Sequence, residues 1–146
     1  MEKIKIKLIR DTSKLPTYGS EHAAGADIYA DIDEDIEVMP HQTVMIPSGF
    51  ALEIPTGFAG FVYPRSGMAS KRGLASANKV GVIDSDYRGE VIVALHNHSD
   101  KPATISPGER IAQLIIAPVY TPGFELTDDL SDTTRGSGGF GSTGYN

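Results

Sequence analysis

Residues 36–63 read IEVMPHQTVMIPSGFALEIPTGFAGFVY. Four short apolar runs, at 36–38, 43–47, 50–54 and 60–63, are separated by turn sequences rich in proline and glycine. Proline fixes its own φ and glycine accepts positive φ, so such residues end one strand and begin the next. Short apolar runs separated by turns every ~8–12 residues are typical of an all-β sandwich or barrel.

The rest of the chain continues this pattern. Residues 3–9 alternate lysine with isoleucine or leucine, a period of two that predicts a half-buried strand. Further apolar runs follow at 80–83, 90–95, 104–105 and 110–119, again bounded by turn residues. Because no segment has sustained helical periodicity, the sequence predicts an all-β fold.

The domain organisation follows from length and composition. The chain has 146 residues with 40% hydrophobic content, enough for one domain with a sizeable core. Only residues 66–74 are compatible with a short turn of helix. From about Pro122 the composition shifts to Gly, Ser, Thr and Asp. We therefore expect a β-sandwich domain over residues 1–121, followed by a crossover and a mobile tail over residues 122–146.

Composition also excludes several classes of function. The chain contains no cysteine, so disulfides and thiol catalysis play no part. Its first residues alternate charge with isoleucine, unlike a signal peptide, and no apolar run approaches the ~18–20 residues needed to cross a membrane. We therefore expect a cytoplasmic protein with no membrane partner. A net charge of −6 argues against a nucleic-acid polymer, but a few focused arginines would accommodate an anionic small ligand.

A candidate anion site follows the strand predicted at 60–63. Pro64 fixes the backbone and Gly67 lets it approach a ligand closely. Arg65 and Ser66 are residue types that bind phosphate. The simpler alternative is a surface turn with a solvated arginine.

The last predicted strand carries two further polar residues, Arg110 and Gln113. Because side chains alternate along a regular strand, an offset of three places them on opposite faces. We therefore expect one of the two to face the site and the other to be structural.

In residues 81–90 an acidic residue, Asp84, follows the end of a predicted apolar strand. Asp84 would act as a base toward water if it is partly buried, and Tyr87 follows three residues later. An EF-hand calcium loop is ruled out because Arg88 and Leu95 occupy its fifth and twelfth positions. The structural alternative is a hairpin turn whose aspartates bond their own backbone.

The remaining acids and histidines give weaker signals. Asp27 is a single acid among very small residues, and would hold a metal ion through water or cap a turn. Residues 31–35, DIDED, are interpreted as a solvated acidic loop. His96 and His98 share a strand face, but no third ligand has a suitable spacing, so we interpret the histidines as structural or solvated.

The last twelve residues, 135–146, include five glycines. Three of them have the G-x-G-x-x-G spacing of phosphate loops, but the strand before and the element after such a loop are missing. What remains is a mobile tail that closes over a phosphorylated ligand, with Arg135 for charge and Phe140 for stacking. The alternative is a Gly/Ser tail without a role.

These five segments, in this order, resemble the five motifs of the homotrimeric dUTPase family, the deoxyuridine triphosphate nucleotidohydrolases. The resemblance runs from Ala24 to Gly144. It implies a jelly-roll-like β-sandwich and a homotrimer with three active sites, each built from all three chains. It also implies that the tail crosses to a neighbour, a feasible reach for a chain that extends ~3.3–3.6 Å per residue.

The resemblance assigns the nucleoside to the segment around residues 78–84. This segment would be a hairpin whose backbone, including Val82 and Ile83, reads uracil with the help of Asn78. Tyr87 would lie under the deoxyribose and exclude a 2′-hydroxyl. The position of Ile92 contributes through its backbone in this family.

The resemblance also assigns the chemistry. Asp84 would orient and deprotonate the attacking water and contact the 3′-hydroxyl, and Asp27 would fix Mg²⁺ through coordinated water. Arg135 would bind the terminal phosphate, and Phe140, next to Gly141 in the substrate-binding tail, would stack on uracil. The residues implied to hold the phosphates are Arg65, Ser66, Gly67 and Gln113. The residues implied to be catalytic are Asp84, Arg65, Ser66 and Gln113.

The activity implied by the resemblance is that of a Mg²⁺-dependent dUTP diphosphatase. Water would attack the α-phosphorus of dUTP and release dUMP and pyrophosphate, which keeps uracil out of DNA and supplies dUMP for thymidylate synthesis. Two alternatives are a dCTP deaminase-like enzyme on a related fold and a non-catalytic nucleotide-sensing module that regulates a partner protein.

Overall fold

The computed structural model describes residues 3–139 and contains, within this range, twelve β-strands and one α-helix. The strands are β1 (Lys5–Leu8), β2 (Thr17–Tyr18), β3 (Ala26–Tyr29), β4 (Ile36–Val38), β5 (Thr43–Pro47), β6 (Phe50–Glu53), β7 (Phe58–Pro64), β8 (Leu74–Ser76), β9 (Gly81–Ile83), β10 (Ile92–Asn97), β11 (Ala103–Ile105) and β12 (Arg110–Pro118). The helix, α1, spans Ser66–Arg72.

Two main sheets face each other. One has the strand order β2-β3-β12-β7-β9 and the other the order β5-β10-β8, while β1 pairs with β6 and β11 with β4. Every ladder is antiparallel. Both main sheets contribute to a single apolar core, so the predicted all-β sandwich is confirmed. The core includes Ile28, Val62 and Leu114 from the larger sheet and Ile46, Leu74 and Val93 from the smaller one.

The turn and strand pattern of residues 36–63 folds as predicted. The strands expected at 36–38 and 43–47 have those bounds, and the run at 60–63 extends to Phe58–Pro64. Gly49 and Gly57 have φ values of 75° and 88°, which explains why glycine stands in these turns. The sequence did not predict β2, β3 or β8, which are two to four residues long.

Helix α1 is longer than the single turn anticipated at 66–74. It begins directly after Arg65, and it ends at Gly73, which has a φ of 67° and donates its N–H to the Met68 carbonyl. This left-handed termination is typical of a glycine after the last helical residue. The helix buries Met68 against the core and thereby fixes the loop that carries Arg65.

Strand β12 contains an irregularity that the sequence did not reveal. Its pairing with β3 shifts register between Arg110 and Ala112, and Ile111 and Ala112 are both buried, which breaks the alternation of a regular strand. The expectation that Arg110 and Gln113 lie on opposite faces was therefore wrong. A β-bulge inserts one residue and brings both side chains to the side of Asp27.

The segment between β8 and β9 connects the two main sheets. Strand β8 pairs with β10 in the smaller sheet, whereas β9 pairs with β7 in the larger one. The expected hairpin is therefore not a self-paired ladder, because its two strands separate into opposite sheets. Lys79, at the turn, has a φ of 67°, a left-handed conformation that is uncommon for a residue with a Cβ.

After β12 the described chain has no further strand or helix. The N–H of Val119 donates to the Gly57 carbonyl at 2.9 Å, and residues 120–139 are exposed throughout. Phe124 and Leu126 are almost fully exposed. A helix long and apolar enough to span a membrane does not occur in residues 3–139.

Candidate active site

A cavity of about 400 Å³ opens between the two main sheets, where the chain passes from β8 to β9. Its walls come from the β8–β9 segment, the loop that follows β9, and strand β10. We call it the inter-sheet cavity. Its lining residues are Met45, Val62, Ser76, Asn78, Gly81, Val82, Ile83, Asp84, Tyr87, Glu90, Val91, Ile92, Val93 and Ala94.

The mouth of the inter-sheet cavity is apolar and exposed. Met45 and Val82 are 62% and 63% exposed, and Tyr87 and Ile92 are also exposed. Large apolar side chains that converge on one cavity are typical of a site for a partly apolar ligand such as a nucleoside. Val82, Tyr87 and Ile92, for which a substrate-binding role is predicted, all line this cavity.

The loop after β9 presents a carboxylate at the cavity. The N–H of Tyr87 donates to the Asp84 carbonyl at 3.2 Å, which closes a turn, and the Tyr87 hydroxyl donates to the Glu90 carbonyl at 3.0 Å. A Cβ at Gly89 would clash with that hydroxyl, so glycine at this position leaves room for the contact between Tyr87 and Glu90. Asp84 itself is exposed in the single chain, and its side chain is free to meet a ligand.

A second group of polar residues surrounds Asp27, near the start of β3, just after the end of β7 and in the first half of β12. We call it the Asp27 cluster and define it as Asp27, Arg65, Arg110 and Gln113. Arg65 Nε donates to Asp27 Oδ1 at 2.8 Å, and Arg110 Nη1 donates to Asp27 Oδ2 at 3.1 Å. Two guanidinium groups and one carboxylate leave a net positive charge, which suits an anionic ligand such as phosphate.

Gln113 completes the Asp27 cluster. It lies opposite Asp27 in the β3–β12 ladder, and its Nε2 donates to the Pro64 carbonyl at 3.0 Å. A Cβ at Gly25 would lie 2.7 Å from Gln113 Oε1, so glycine at that position lets the amide occupy its place. Ser66 and Gly67 begin helix α1 beside the cluster and are exposed.

The inter-sheet cavity and the Asp27 cluster lie apart within one chain. In the antiparallel β7–β9 ladder Ile83 pairs with Gly60, so the next residue, Asp84, lies near the level of Ala59. Arg65 follows the opposite end of β7. At ~3.3 Å per residue, the six steps from Ala59 to Arg65 correspond to about 20 Å. None of the four cluster residues lines the cavity.

Most of the predicted site residues thus lie either in the inter-sheet cavity or in the Asp27 cluster. Their roles stay predictions. Asn78, Val82, Ile83, Asp84, Tyr87 and Ile92 line the cavity, and Asp27, Arg65 and Gln113 form the cluster. Arg135 lies in the exposed segment after β12, and Phe140 and Gly141 lie outside the described residues.

Two residues of these groups, Arg110 and Ser76, show what sequence reasoning could not assign. Arg110 was left open because the bulge in β12 has no signal in the sequence. Ser76 was not singled out at all, since a serine in a short strand carries no pattern of its own. Only the pairing of β8 with β10 places it in the cavity wall.

Comparison with known proteins agrees with the geometry. The sequence profile of the dUTPase family matches residues 11–144. A deoxyuridine 5′-triphosphate nucleotidohydrolase of Desulfitobacterium hafniense is 50% identical over 145 residues, which cover 97% of this chain and 96% of that protein. The chain belongs to the dUTPase family.

Solved structures show the same fold. A mutant dUTPase of Staphylococcus bacteriophage 80alpha, in complex with dUpNHpp, superimposes with a TM-score of 0.90 and 27% identity, covering 99% of this chain and 100% of that one. A mutant dUTPase of phage phi11 of S. aureus has a TM-score of 0.81 at 22% identity, covering 90% and 100%, and coordinates a structural Mg(II) ion. The predicted jelly-roll-like sandwich is consistent with these matches.

Proposed function

We propose that this chain is a dUTP diphosphatase, which hydrolyses dUTP to dUMP and pyrophosphate. The proposal rests on one observation. This member of the dUTPase family has both an apolar cavity with a carboxylate at its mouth and a separate cationic cluster. The first suits a nucleoside and the attacking water, and the second suits a polyphosphate. The activity would keep uracil out of DNA and supply dUMP for thymidylate synthesis.

Base recognition relies on strand β9 and Asn78. Backbone groups of Val82 and Ile83 have fixed positions in the β7–β9 ladder, so a base with a different polar edge leaves buried groups unpaired, at a cost of about 1–3 kcal/mol for each group. The additional methyl of thymine would overpack the cavity, at about 1–3 kcal/mol.

Sugar recognition relies on Tyr87. Its ring is held by the hydroxyl contact to the Glu90 carbonyl, and it borders the cavity next to Asp84. A rigid ring under the deoxyribose excludes a 2′-hydroxyl by steric contact. This matters because an apolar wall without such contact rejects an added hydroxyl only about 100-fold.

Asp84 is the proposed general base. Its carboxylate accepts a proton from water, the water oxygen bonds to the α-phosphorus, and the bond from that phosphorus to the bridging oxygen breaks as pyrophosphate leaves. The exposed carboxylate of the single chain would be covered by the nucleotide and a neighbouring tail. Exclusion of bulk water strengthens its interaction with the nucleophile.

The phosphates are proposed to bind at the Asp27 cluster. Arg65 directly follows β7 and Gln113 lies on the neighbouring β12, while the first residues of α1, Ser66 and Gly67, add a hydroxyl and backbone N–H groups. Asp27 holds Arg65 and Arg110 in fixed orientations, so the guanidinium groups are preorganised for the charge that develops during phosphoryl transfer.

Mg²⁺ is proposed as the cofactor, bound beside the Asp27 cluster. Residues 3–139 contain no group of three or more His, Cys, Asp or Glu side chains able to hold a metal. Mg²⁺ keeps several waters and binds substrate phosphates, so one nearby carboxylate is enough. Each Asp27 oxygen accepts one arginine hydrogen bond and has capacity for a second from a metal-bound water. When bound to the triphosphate, the ion would neutralise its charge.

The assembly proposed from the family resemblance is a homotrimer with shared sites. The ~20 Å offset between Asp84 and Arg65 along β7 supports sharing, because a water activated by Asp84 and a phosphate held by Arg65 must meet at one phosphorus atom. The exposed apolar side chains of Phe124 and Leu126 support a C-terminal segment that packs on another copy. The tail would bring Arg135, Phe140 and Gly141 to the bound nucleotide.

The proposed function is tested by product analysis in ¹⁸O-water. The protein is incubated separately with dUTP, dTTP, dCTP and UTP, with Mg²⁺ or with a chelator. We expect selective conversion of dUTP to ¹⁸O-labelled dUMP and unlabelled pyrophosphate, lost on chelation.

The Asp84→Asn variant is the matched control. It should bind dUpNHpp but lack turnover, because only the proton acceptor is removed. Turnover of no nucleotide by the unmodified protein, with dUTP tightly bound, would favour the nucleotide-sensing module instead, and ammonia release from dCTP would favour the deaminase.

A further inference from the structure

A buried hydroxyl in the wall of the inter-sheet cavity lacks a protein partner. Ser76, the last residue of β8, is 2% exposed, and no group of residues 3–139 hydrogen-bonds its Oγ. The other fully buried polar side chains differ in this respect. Ser48 Oγ donates to the Val91 carbonyl at 2.6 Å, and Asn97 Nδ2 donates to the carbonyls of Val38 and Lys101.

The position of Ser76 relates this hydroxyl to the cavity. Ser76 pairs with Leu95, a fully buried residue of β10, so its side chain points between the two sheets rather than to the outside. It lines the same cavity as Asn78 and Gly81. The Lys79 N–H donates to the Ser76 carbonyl at 3.0 Å, so the turn that carries Asn78 is hydrogen-bonded to the Ser76 backbone.

A hydroxyl in such a place is unfavourable for folding alone. Burial of a polar group without a hydrogen bond destabilises the folded state, and buried hydroxyls are almost always paired. Ser76 pairs with the apolar Leu95, and the buried Val62 and Val93 line the same cavity, so an alanine at position 76 would be buried without this penalty. Because Ser76 lines the cavity, a polar group bound there would supply the partner that residues 3–139 do not.

We propose that Ser76 is a base-contacting residue whose hydroxyl hydrogen-bonds a polar atom of the pyrimidine, directly or through one bound water. A pyrimidine is the part of the nucleotide that we assign to Ser76, since Ser76 lines the cavity with Asn78 and β9, to which the proposed function assigns the base, whereas it assigns Tyr87 to the sugar and Asp84 to the attacking water. The inference rests on the proposed function, because it assigns uracil to the inter-sheet cavity.

The Ser76→Ala variant tests the proposal through two readouts: nucleotide affinity, which should fall, and the stability of the protein without nucleotide, which should not fall. The Kd for dUpNHpp and the KM for dUTP should rise about three- to tenfold, the effect of one uncharged hydrogen bond, with kcat within about twofold. The melting temperature without nucleotide should stay the same or rise, because the variant removes an unpaired buried hydroxyl.

Ser48→Ala is the matched control, since Ser48 is equally buried but its hydroxyl is already paired within the protein. It should lower the melting temperature and leave the Kd for dUpNHpp unchanged. A lower melting temperature with unchanged Kd in Ser76→Ala would make Ser76 a structural residue and overturn the proposal. Failure of the unmodified protein to bind dUpNHpp or hydrolyse dUTP would instead overturn the proposed function, and this inference with it.

Discussion

Two nearly buried aspartates show how partners decide the role of an acid. Asp27 faces two arginines beside the candidate site, whereas Asp31 accepts hydrogen bonds from Thr12 at 2.7 Å, Ser13 at 2.8 Å and Arg10 at 3.0 Å. Residues 31–35 were expected to be a solvated loop. That was wrong for Asp31, which is 5% exposed, because these three donors compensate its burial.

The hydrogen bonds of Asp31 also make stability depend on pH. Burial alone would raise the pKa of Asp31, but the hydrogen bonds from Thr12, Ser13 and Arg10, together with the charge of Arg10, lower it below the ordinary value of 3.8. A carboxyl whose pKa is lower in the folded state stabilises the protein above the unfolded pKa. This contribution is lost as the pH falls through the lower, folded value.

The Asp31→Asn variant should therefore be less stable at neutral pH, by about 1–3 kcal/mol in the free energy of unfolding. The difference from the unmodified protein should shrink below about pH 4, where the carboxyl begins to bind a proton. Urea unfolding at pH 7 and at successively lower pH measures it, with the exposed Asp35→Asn as control. A difference that stays constant with pH would contradict the assigned role of the charge.

At the scale of elements, two irregular features build the candidate site. The β8–β9 segment leaves one sheet for the other and opens the inter-sheet cavity, and the bulge in β12 brings Arg110 to Asp27. The segment after β12 is the third element, and it contributes no strand to the described body. Its removal should therefore affect the proposed catalysis more than the fold.

Truncation before Arg135 should lower kcat/KM for dUTP by about 10- to 100-fold, the effect of losing a charge-assisted contact to phosphate. The assembly state, measured by light scattering, should be unchanged, because residues 135–139 are exposed and outside the core. The Arg135→Ala variant of the full chain removes only the charge, so comparison with the truncation distinguishes the effect of losing the charge from that of losing the tail. Dissociation of the assembly on truncation would show instead that the tail holds the copies together.

At the scale of the whole molecule, the candidate site is divided. Asp84 and Arg65 extend beyond opposite ends of the β7–β9 ladder, and a strand is too stiff to bring them together. If copies of the chain share sites, each Asp84 works with the Arg65 of a neighbour. Two inactive variants then become complementary.

Co-expression of Asp84→Asn and Arg65→Ala chains with different tags tests this sharing. With equal expression and random assembly, roughly half of all sites would receive an intact Asp84 and roughly half of those an intact Arg65, so roughly a quarter of all sites should be restored. Each variant alone should have far lower activity. Mixed assemblies as inactive as the Asp84→Asn protein would contradict shared sites.

Much of this protein could be predicted from local sequence. The period-two runs and the proline and glycine turns of residues 36–63 determined the strands, since both depend on the φ angles and side-chain alternation of neighbouring residues. The order of five short motifs likewise indicated the family that the comparisons show.

Only the tertiary structure determined how the strands and motifs are arranged in space. The side of β12 on which Arg110 lies, the burial of Asp31 and Ser76, and the separation of Asp84 from Arg65 all follow from pairing between distant residues. Such pairing depends on long-range register and on the packing of two sheets around one core. Neither leaves a periodic signal in the residues concerned, so the fold class was determined by sequence and the geometry of the site by the folded chain.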